Sequence, residues 1–394
     1  MISVTEALAR ILALCPVLPS EVVPLRKAAG RVLAAEVVAR LTQPPFAASA
    51  MDGYAICEAD HRAGVELTVI GEAAAGRGFV GRVTAGTAVR IFTGAPLPEG
   101  AERVVLQEDV TREGDRITLG SRLEAGRHIR DAGQDFRAGD RIAAPRRLRP
   151  ADLGLIAAMN VPEVSVARRP VVALVATGDE LVMPGEEPGP DQIIASNGFA
   201  LAAMAEAEGA EVRMLPIAGD SAASLRQTFA LAADADLIVT IGGASVGDHD
   251  LVGAVAAELG LERAFWKIAM RPGKPIMAGK MAESVMLGLP GNPVSAIVCA
   301  HLFMLPALRA MQGLPQAPAA RRQGRLGAPV AANGPREHFM RATLDWSDGM
   351  ATVHPFDRQD SALLSILSQA DALLIRPPGD AAREIGAAVE FIAI

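Results

Sequence analysis

Apolar positions along the chain follow two different periods, and the change from one to the other divides it. In MISVTEALARILALC, Ala7, Leu8, Ile11, Leu12 and Cys15 recur at helical spacing, and Ser3 with Glu6 has the spacing of a capping box. The stretch has no basic start, and Glu6 and Arg10 interrupt it, so it is read as a helix rather than a signal sequence. From about residue 42 to 140, short Val- and Ile-rich pieces such as LTVIG, AVRIFTG and RVVLQEDV are cut by Gly and Pro, which predicts an all-β insertion. The flanking stretches 1–41 and 141–168 carry helical patterns, ADLGLIAAMN among them, and are expected to pack together as a stem.

From Pro170 the two periods alternate. VVALVAT, a helix over 196–208, EVRMLPI, a helix near 222–233, DLIVTIGG and SVMLGL predict βαβ units around a parallel sheet covered on both faces. Ser196 is expected to cap the first of these helices, Gly209 to end it in the left-handed conformation, and Asp220 or Ser221 to cap the second. A long apolar helix over about 294–311 stops before Gly313, and LPQAPAARR reads as a linker. RATLDW, MATVHPF, ALLIRP and AVEFIAI then predict a small β-barrel. The expected architecture is multidomain α/β: a helical stem (1–41 and 141–168), a β insertion (42–140), a doubly wound domain (169–313) and a C-terminal β-barrel (323–394).

With 394 residues, several cores of ordinary size are available. The formal charge of −7, with no basic block, argues against a general nucleic-acid binder and leaves room for a small anion held by locally gathered cations. Three widely spaced cysteines without a CxxC fit a reducing cytoplasm, and no segment after the first helix offers about 18 uninterrupted apolar residues, so no membrane span is expected. HExxH, GxSxG and GxxxxGK[ST] are absent, which removes zincin, hydrolase and P-loop chemistry.

Ligands of open parallel sheets bind at the carboxyl ends of strands. VVALVAT runs into Gly178, Asp179 and Glu180; PIAG into Asp220; LIVTIGG into GGASVGDHD; SVMLGL into Pro290, Gly291, Asn292 and Pro293. Any one of these fits a simple cap or turn, and their coincidence on one edge favours a site. In the third loop Gly242, Gly243 and Gly247 suit an anion, yet Asp248 and Asp250 follow at once. A divalent cation reconciles the two, with Glu180, Asp220 and Asp250 as the candidate Mg²⁺ ligands. Asp248 is read as a helix-start residue and His249 as a polar loop residue. Lys267, Arg271 and Lys274 in WKIAMRPGKP offer positive charge; if KIAM is extended, Lys267 and Arg271 point the same way. SAMDGYA, with the single tyrosine, reads by default as a turn with a packed ring.

SAMDGYA, IFTGAPLPEGA, ATGDEL, SNG, GGASVGDHD, RPGKP and LPGNPVSA, in this order and across nearly the whole chain, resemble the molybdopterin molybdenumtransferases, whose relatives include the gephyrin E domain. The resemblance implies a doubly wound molybdopterin-binding domain and a cytoplasmic homodimer, each site formed between that domain and the partner's β insertion. It implies a reaction in which molybdate and adenylylated molybdopterin, a pterin nucleotide, yield molybdenum cofactor and AMP with Mg²⁺. A molybdopterin adenylyltransferase and molybdoenzymes are the implied protein partners. Carried over by motif, Asp52, Thr93, Glu180, Asp220, Asp250, Lys267 and Arg271 form the implied catalytic set. Asp135, Ser196, Asn197, Gly242, Gly243, Ser245, Lys274, Arg341 and Ser361 are expected to meet substrate, with Pro290 and Pro293 shaping the rim. Arg271 stands where the family usually has lysine, and Ala176 where serine is usual. The alternatives are a binding or scaffold module without turnover, distinguished by the acidic set, and a molybdopterin-adenylating enzyme, which needs neither insertion nor barrel.

Overall fold

The computed structural model describes residues 1–243, 251–347 and 349–394. The chain forms two compact units, one of Met1–Glu21, Gly30–Ala34 and Val166–Ile394, the other of Val22–Ala29 and Ala35–Ser165.

In the larger unit the fully apolar runs make the sheet. Its order is Glu211–Met214, Val171–Ala176, Leu237–Ile241, Ser284–Leu289, Met277–Met281, Glu262–Trp266. The first four strands are parallel, Met277–Met281 pairs antiparallel to Ser284–Leu289, and Glu262–Trp266 pairs antiparallel to Met277–Met281, so the all-parallel expectation holds for four strands and misses an edge hairpin. Alternate residues of one strand enter different cores. Val172, Leu174, Leu237 and Val239 pack with Leu201, Ala205 and Phe303, whereas Ala173, Val175 and Ile238 pack with Leu225, Phe229 and Val255. Burial on both faces is why these strands are continuously apolar rather than alternating.

Helix ends follow local chemistry with one exception. Ser3 Oγ accepts the Glu6 N–H at 3.1 Å, while the Glu6 carboxylate turns to Arg10 at 2.5 Å, so only half of the capping box forms. Ser221 Oγ accepts from Ser224 N–H at 3.2 Å, and Gly209 ends the preceding helix at φ +95°. Ser196 makes no side-chain cap: its backbone is already helical (φ −92°, ψ −27°), whereas a capping side chain reaches back from an extended residue. The helical stretch Pro293–Met311 has the length and apolarity of a membrane span, with mean hydropathy 1.7, but 83% of its most apolar stretch is buried inside the protein, as in a core helix. It shifts to π geometry over Ala300–Met304, just before Pro306, which has no N–H for the ladder.

The C-terminal strands close into a five-membered barrel. Glu337–Asp345 pairs with both Thr352–Pro355 and Ala372–Arg376, and Arg322–Leu326 with Ala388–Ala393 completes the ring. Met270–Arg271 joins it by pairing with Glu337 and His338.

The smaller unit carries a six-stranded sheet in the order Arg103–Leu106, Gly53–Ile56, Thr87–Ile91, Glu66–Ala73, Arg116–Leu119, Val110–Glu113. Of the two helices expected in the stem, Pro150–Ala158 belongs to this unit, while Val4–Leu14 buries its apolar face in the core of the larger one; most of the remaining stem sequence forms short strands. At Gly53 a Cβ would stand 1.9 Å from the Val105 carbonyl oxygen, so no side chain fits. Gly53→Ala is expected to cost about 1–3 kcal/mol, read as a lower urea midpoint; an unchanged midpoint would contradict this close approach.

Candidate functional site

The strand ends of the parallel sheet surround a cavity of about 590 Å³. Ala176 ends one strand and Thr177 follows it, Gly242 and Gly243 follow the next, and Pro290–Pro293 the third. Ser196 and Asn197 enter from a helix start, Leu181, Ile193 and Ile194 from a short strand pair, and Ala362 from the segment 356–363. The motif residues Glu180, Ser196, Asn197, Gly242, Gly243, Pro290 and Pro293 therefore share one space.

Its glycine turn is sterically defined. Gly242 and Gly243 have φ of +92° and +66°, and a Cβ on Gly243 would lie 2.2 Å from Val252 Cγ2. Gly242 donates its N–H to Leu289 O at 3.1 Å and so shapes the turn, whereas the Gly243 amide is left without a partner among the described residues. Of the three glycines expected to receive an anion, Gly242 is spent on the turn, Gly243 has no amide partner among the described residues, and Gly247 lies outside them.

The acidic residues separate into two kinds. Glu180 lines the cavity, its carboxylate folded over Gly178. Asp220 is off the lining, in a reciprocal clasp with Asp179: Asp220 N–H donates to Asp179 Oδ1 at 3.0 Å, and Asp179 N–H to Asp220 Oδ2 at 3.5 Å. Asp179 was legible only as a strand-end acid, without this role. Ser245 and Asp250, with Gly247, Asp248 and His249, lie outside the described residues.

Across the cavity Asn197 Nδ2 donates to Gly291 O at 2.6 Å. Asn292 Nδ2 donates to Ser361 Oγ at 3.1 Å, and Val294 N–H to Ser361 O at 3.1 Å, which seats the 356–363 segment against the PGNP turn. Arg341 was expected to meet substrate, but it is 1% exposed and its guanidinium is occupied by the Gln359 side chain and the carbonyls of Arg358, Asp360 and Leu363. It positions the segment that carries Ser361 and Ala362.

The expected cation trio is not gathered on this cavity. Lys267 takes φ +72°, breaking the extended run on which its alignment with Arg271 depended, and its ammonium stands 4.2 Å from the centroid of the Trp266 ring. The hairpin bonds Lys267 N–H to Ile276 O and Ile268 N–H to Lys274 O explain the turn. Arg271 lines a second cavity with His338 and Arg376, and Lys274 is exposed and lines neither.

In the smaller unit Asp52 and Thr93 meet directly. Asp52 Oδ1 accepts both the Thr93 N–H and its hydroxyl at 2.8 Å. Arg90 braces the neighbouring backbone, donating to Gly53 O at 3.0 Å and to Gln107 Oε1 at 2.6 Å. Asp135 is exposed, its amide bonded to Gln43 O at 3.1 Å. The two Thr93 hydrogen bonds, with Arg90 adding attraction, hold the Asp52 carboxyl below its usual range. A depressed folded value means that the pair's contribution to stability is complete above about pH 4 and is lost as pH falls through the folded pKa. Thr93→Val should move the Asp52 titration, followed by NMR, back toward that of a free aspartate; an unmoved curve would refute the cause given.

Comparison with known proteins follows the same division of the chain. Residues 2–160 match "MoeA N-terminal region (domain I and II)", 173–310 "Probable molybdopterin binding domain", and 323–394 "MoeA C-terminal region (domain IV)". The chain is 35% identical over 373 residues to the molybdopterin molybdenumtransferase of Nostoc sp., covering 92% of this chain and 86% of that protein. It is 38% identical over 369 residues to molybdopterin molybdenumtransferase 2 of Mycobacterium tuberculosis, covering 90% of each. The solved molybdopterin biosynthesis moeA protein of Pyrococcus horikoshii superposes with a TM-score of 0.86 at 28% identity, over the full length of both chains.

Proposed function

The chain belongs to the MoeA family of molybdenum cofactor biosynthesis, and on that premise we propose that it is a molybdopterin molybdenumtransferase that joins molybdate to adenylylated molybdopterin and releases AMP. The observation that carries this reading is the cavity of about 590 Å³, lined by both Glu180 and Gly243, whose amide has no partner among the described residues. That volume suits a nucleotide-sized ligand, and a backbone amide at a left-handed turn suits a phosphate oxygen.

Mg²⁺ fits the donors present. It takes hard oxygens, with one or two carboxylates beside water and phosphate. Among the described residues no group of three His, Cys, Asp or Glu side chains gathers, and Glu180 on the lining supplies one carboxylate. Glu180 would hold the ion, with Asp220 and Asp250 added by motif, and the ion would neutralise charge developing on substrate phosphate oxygens. The protein's own part is positional. Asn197 and the PGNP turn fix one wall, the Asp179–Asp220 clasp fixes the acidic edge, and Leu181, Ile193 and Ile194 supply an apolar side that limits water.

The working assembly in this reading is a cytoplasmic homodimer in which the β insertion of one subunit adds Asp52 and Thr93 to the site of the other. Domain limits at 1–41 with 141–168 (stem), 42–140, 169–313 and 323–394 belong to the same proposal. Purified protein mixed with adenylylated molybdopterin and Mg²⁺ should release AMP when molybdate is added. Nucleotide binding without molybdate-dependent release would favour the non-catalytic module and overturn the enzyme.

A further inference from the structure

Resting on the reading that Asp52 and Thr93 enter the site, we propose that Ser49 is the positioning residue of that pair, tying the crossing that carries Asp52 and the turn that carries Thr93 into one unit. Asp52 and Thr93 stand 41 positions apart and meet outside regular structure. What holds the two backbones in register with each other therefore decides whether the carboxylate and the hydroxyl meet at all.

On the Asp52 side, the strand Ala48–Ser49 ends before the crossing and Gly53–Ile56 begins after it, so no ladder reaches Met51 or Asp52. The Asp52 carbonyl accepts Gln107 N–H at 3.2 Å. The Met51 carbonyl has one partner among the described residues, the Ser49 hydroxyl, which donates to it at 2.5 Å and also lies 3.4 Å from the Met51 N–H. On the Thr93 side, a turn closes through Ala95 N–H to Phe92 O at 2.9 Å, with Gly94 at φ +81°. The main chain of Ser49 grips this turn twice: its carbonyl accepts Gly94 N–H at 2.8 Å, and its N–H donates to Ala95 O at 3.0 Å.

One residue thus bonds the Asp52 crossing through its side chain and the Thr93 turn through its backbone. Ser49 is 0% exposed, whereas serine is mostly found at the surface. Its hydroxyl has no water to turn to, and letting go of the Met51 carbonyl would leave a buried donor unpaired. The crossing is held from beneath while Met51 itself is exposed. The consequence is preorganisation: Asp52 Oδ1 receives both Thr93 donors at 2.8 Å in a frame that needs no ordering at the moment of use.

Ser49→Ala in the full chain tests this, since it removes the hydroxyl and keeps both backbone bonds to the turn. NMR should show the Asp52 carboxyl titrating closer to a free aspartate than in wild type. For molybdate-dependent AMP release, kcat should fall roughly tenfold with KM within about twofold. In an Asp52→Ala background the same substitution should lower kcat by less than about twofold, because no carboxylate is left to misplace. Ser49→Cys fills the space with a weaker donor; it should fall between serine and alanine in both readouts, and it carries the test if the alanine variant does not fold. A wild-type Asp52 titration in Ser49→Ala overturns the proposal, and so does an equal loss of kcat with and without the Asp52 carboxylate. AMP release failing in wild type would overturn the enzymatic reading, and the titration would still decide whether Ser49 sets the pair.

Discussion

Glu180→Gln is expected to lower molybdate-dependent AMP release by about 10²–10³-fold, with kcat carrying most of the loss. The substitution keeps the size of the side chain and one acceptor oxygen, and removes a charge. That charge has no structural duty to confound the result: the carboxylate lines the cavity and makes no hydrogen bond or ion pair among the described residues. Unfolding should therefore be unchanged, and nucleotide binding should survive, because the Gly243 amide, Asn197 and the PGNP turn remain. The contrast is Asp179→Ala, which leaves the lining intact but removes the acceptor of the Asp220 N–H. It should lower the rate less, by roughly tenfold, and Asp179→Asn, which retains an oxygen at Oδ1, should restore most of that loss. A Glu180→Gln rate within about threefold of wild type would remove Glu180 from the chemistry.

How far the sequence carried can be judged at particular residues. Strand and helix periodicity located the sheet because Leu237–Ile241 and Ser284–Leu289 are buried on both faces and leave unbroken apolar runs. The convergence of Glu180, Gly243 and Pro290 was legible for a related reason: in a parallel sheet, loops that follow strands meet at one edge whatever their distance in sequence, whereas Asn197 was reached only through the SNG motif. The hairpin Glu262–Trp266 with Met277–Met281 was not legible, since its register depends on long-range pairing with Ser284–Leu289 and neither strand alternates cleanly. That gap misplaced the cations. The spacing of Lys267 and Arg271 implied one shared face only for an extended chain, and the left-handed turn at Lys267 sends them to different surroundings. The Asp179–Asp220 clasp and the burial of Arg341 are likewise products of tertiary approach, and no local pattern announces either.

Arg341→Met is expected to destabilise the larger unit by about 2–4 kcal/mol, and its reach should extend to the cavity. The guanidinium donates to Gln359 Oε1 at 3.2 Å, Asp360 O at 2.8 Å and Arg358 O at 3.3 Å, and Gln359 Nε2 returns a bond to Arg341 O at 3.0 Å. Methionine fills comparable length with nothing to donate, so carbonyls folded inward to meet the arginine lose their partner. The 356–363 segment should then loosen, and its link to the site has a direct reporter: the Val294 N–H, bonded to Ser361 O at 3.1 Å. Hydrogen exchange at Val294 should accelerate, and KM for the pterin nucleotide should rise more than kcat falls, because Ala362 and the PGNP turn shape the wall rather than react. Arg341→Lys should recover little, since a single ammonium cannot span the four acceptors, Leu363 O among them, that the planar fork reaches. Unchanged Val294 protection in Arg341→Met would show that the segment is held by other contacts, and that Arg341 must be assigned another role.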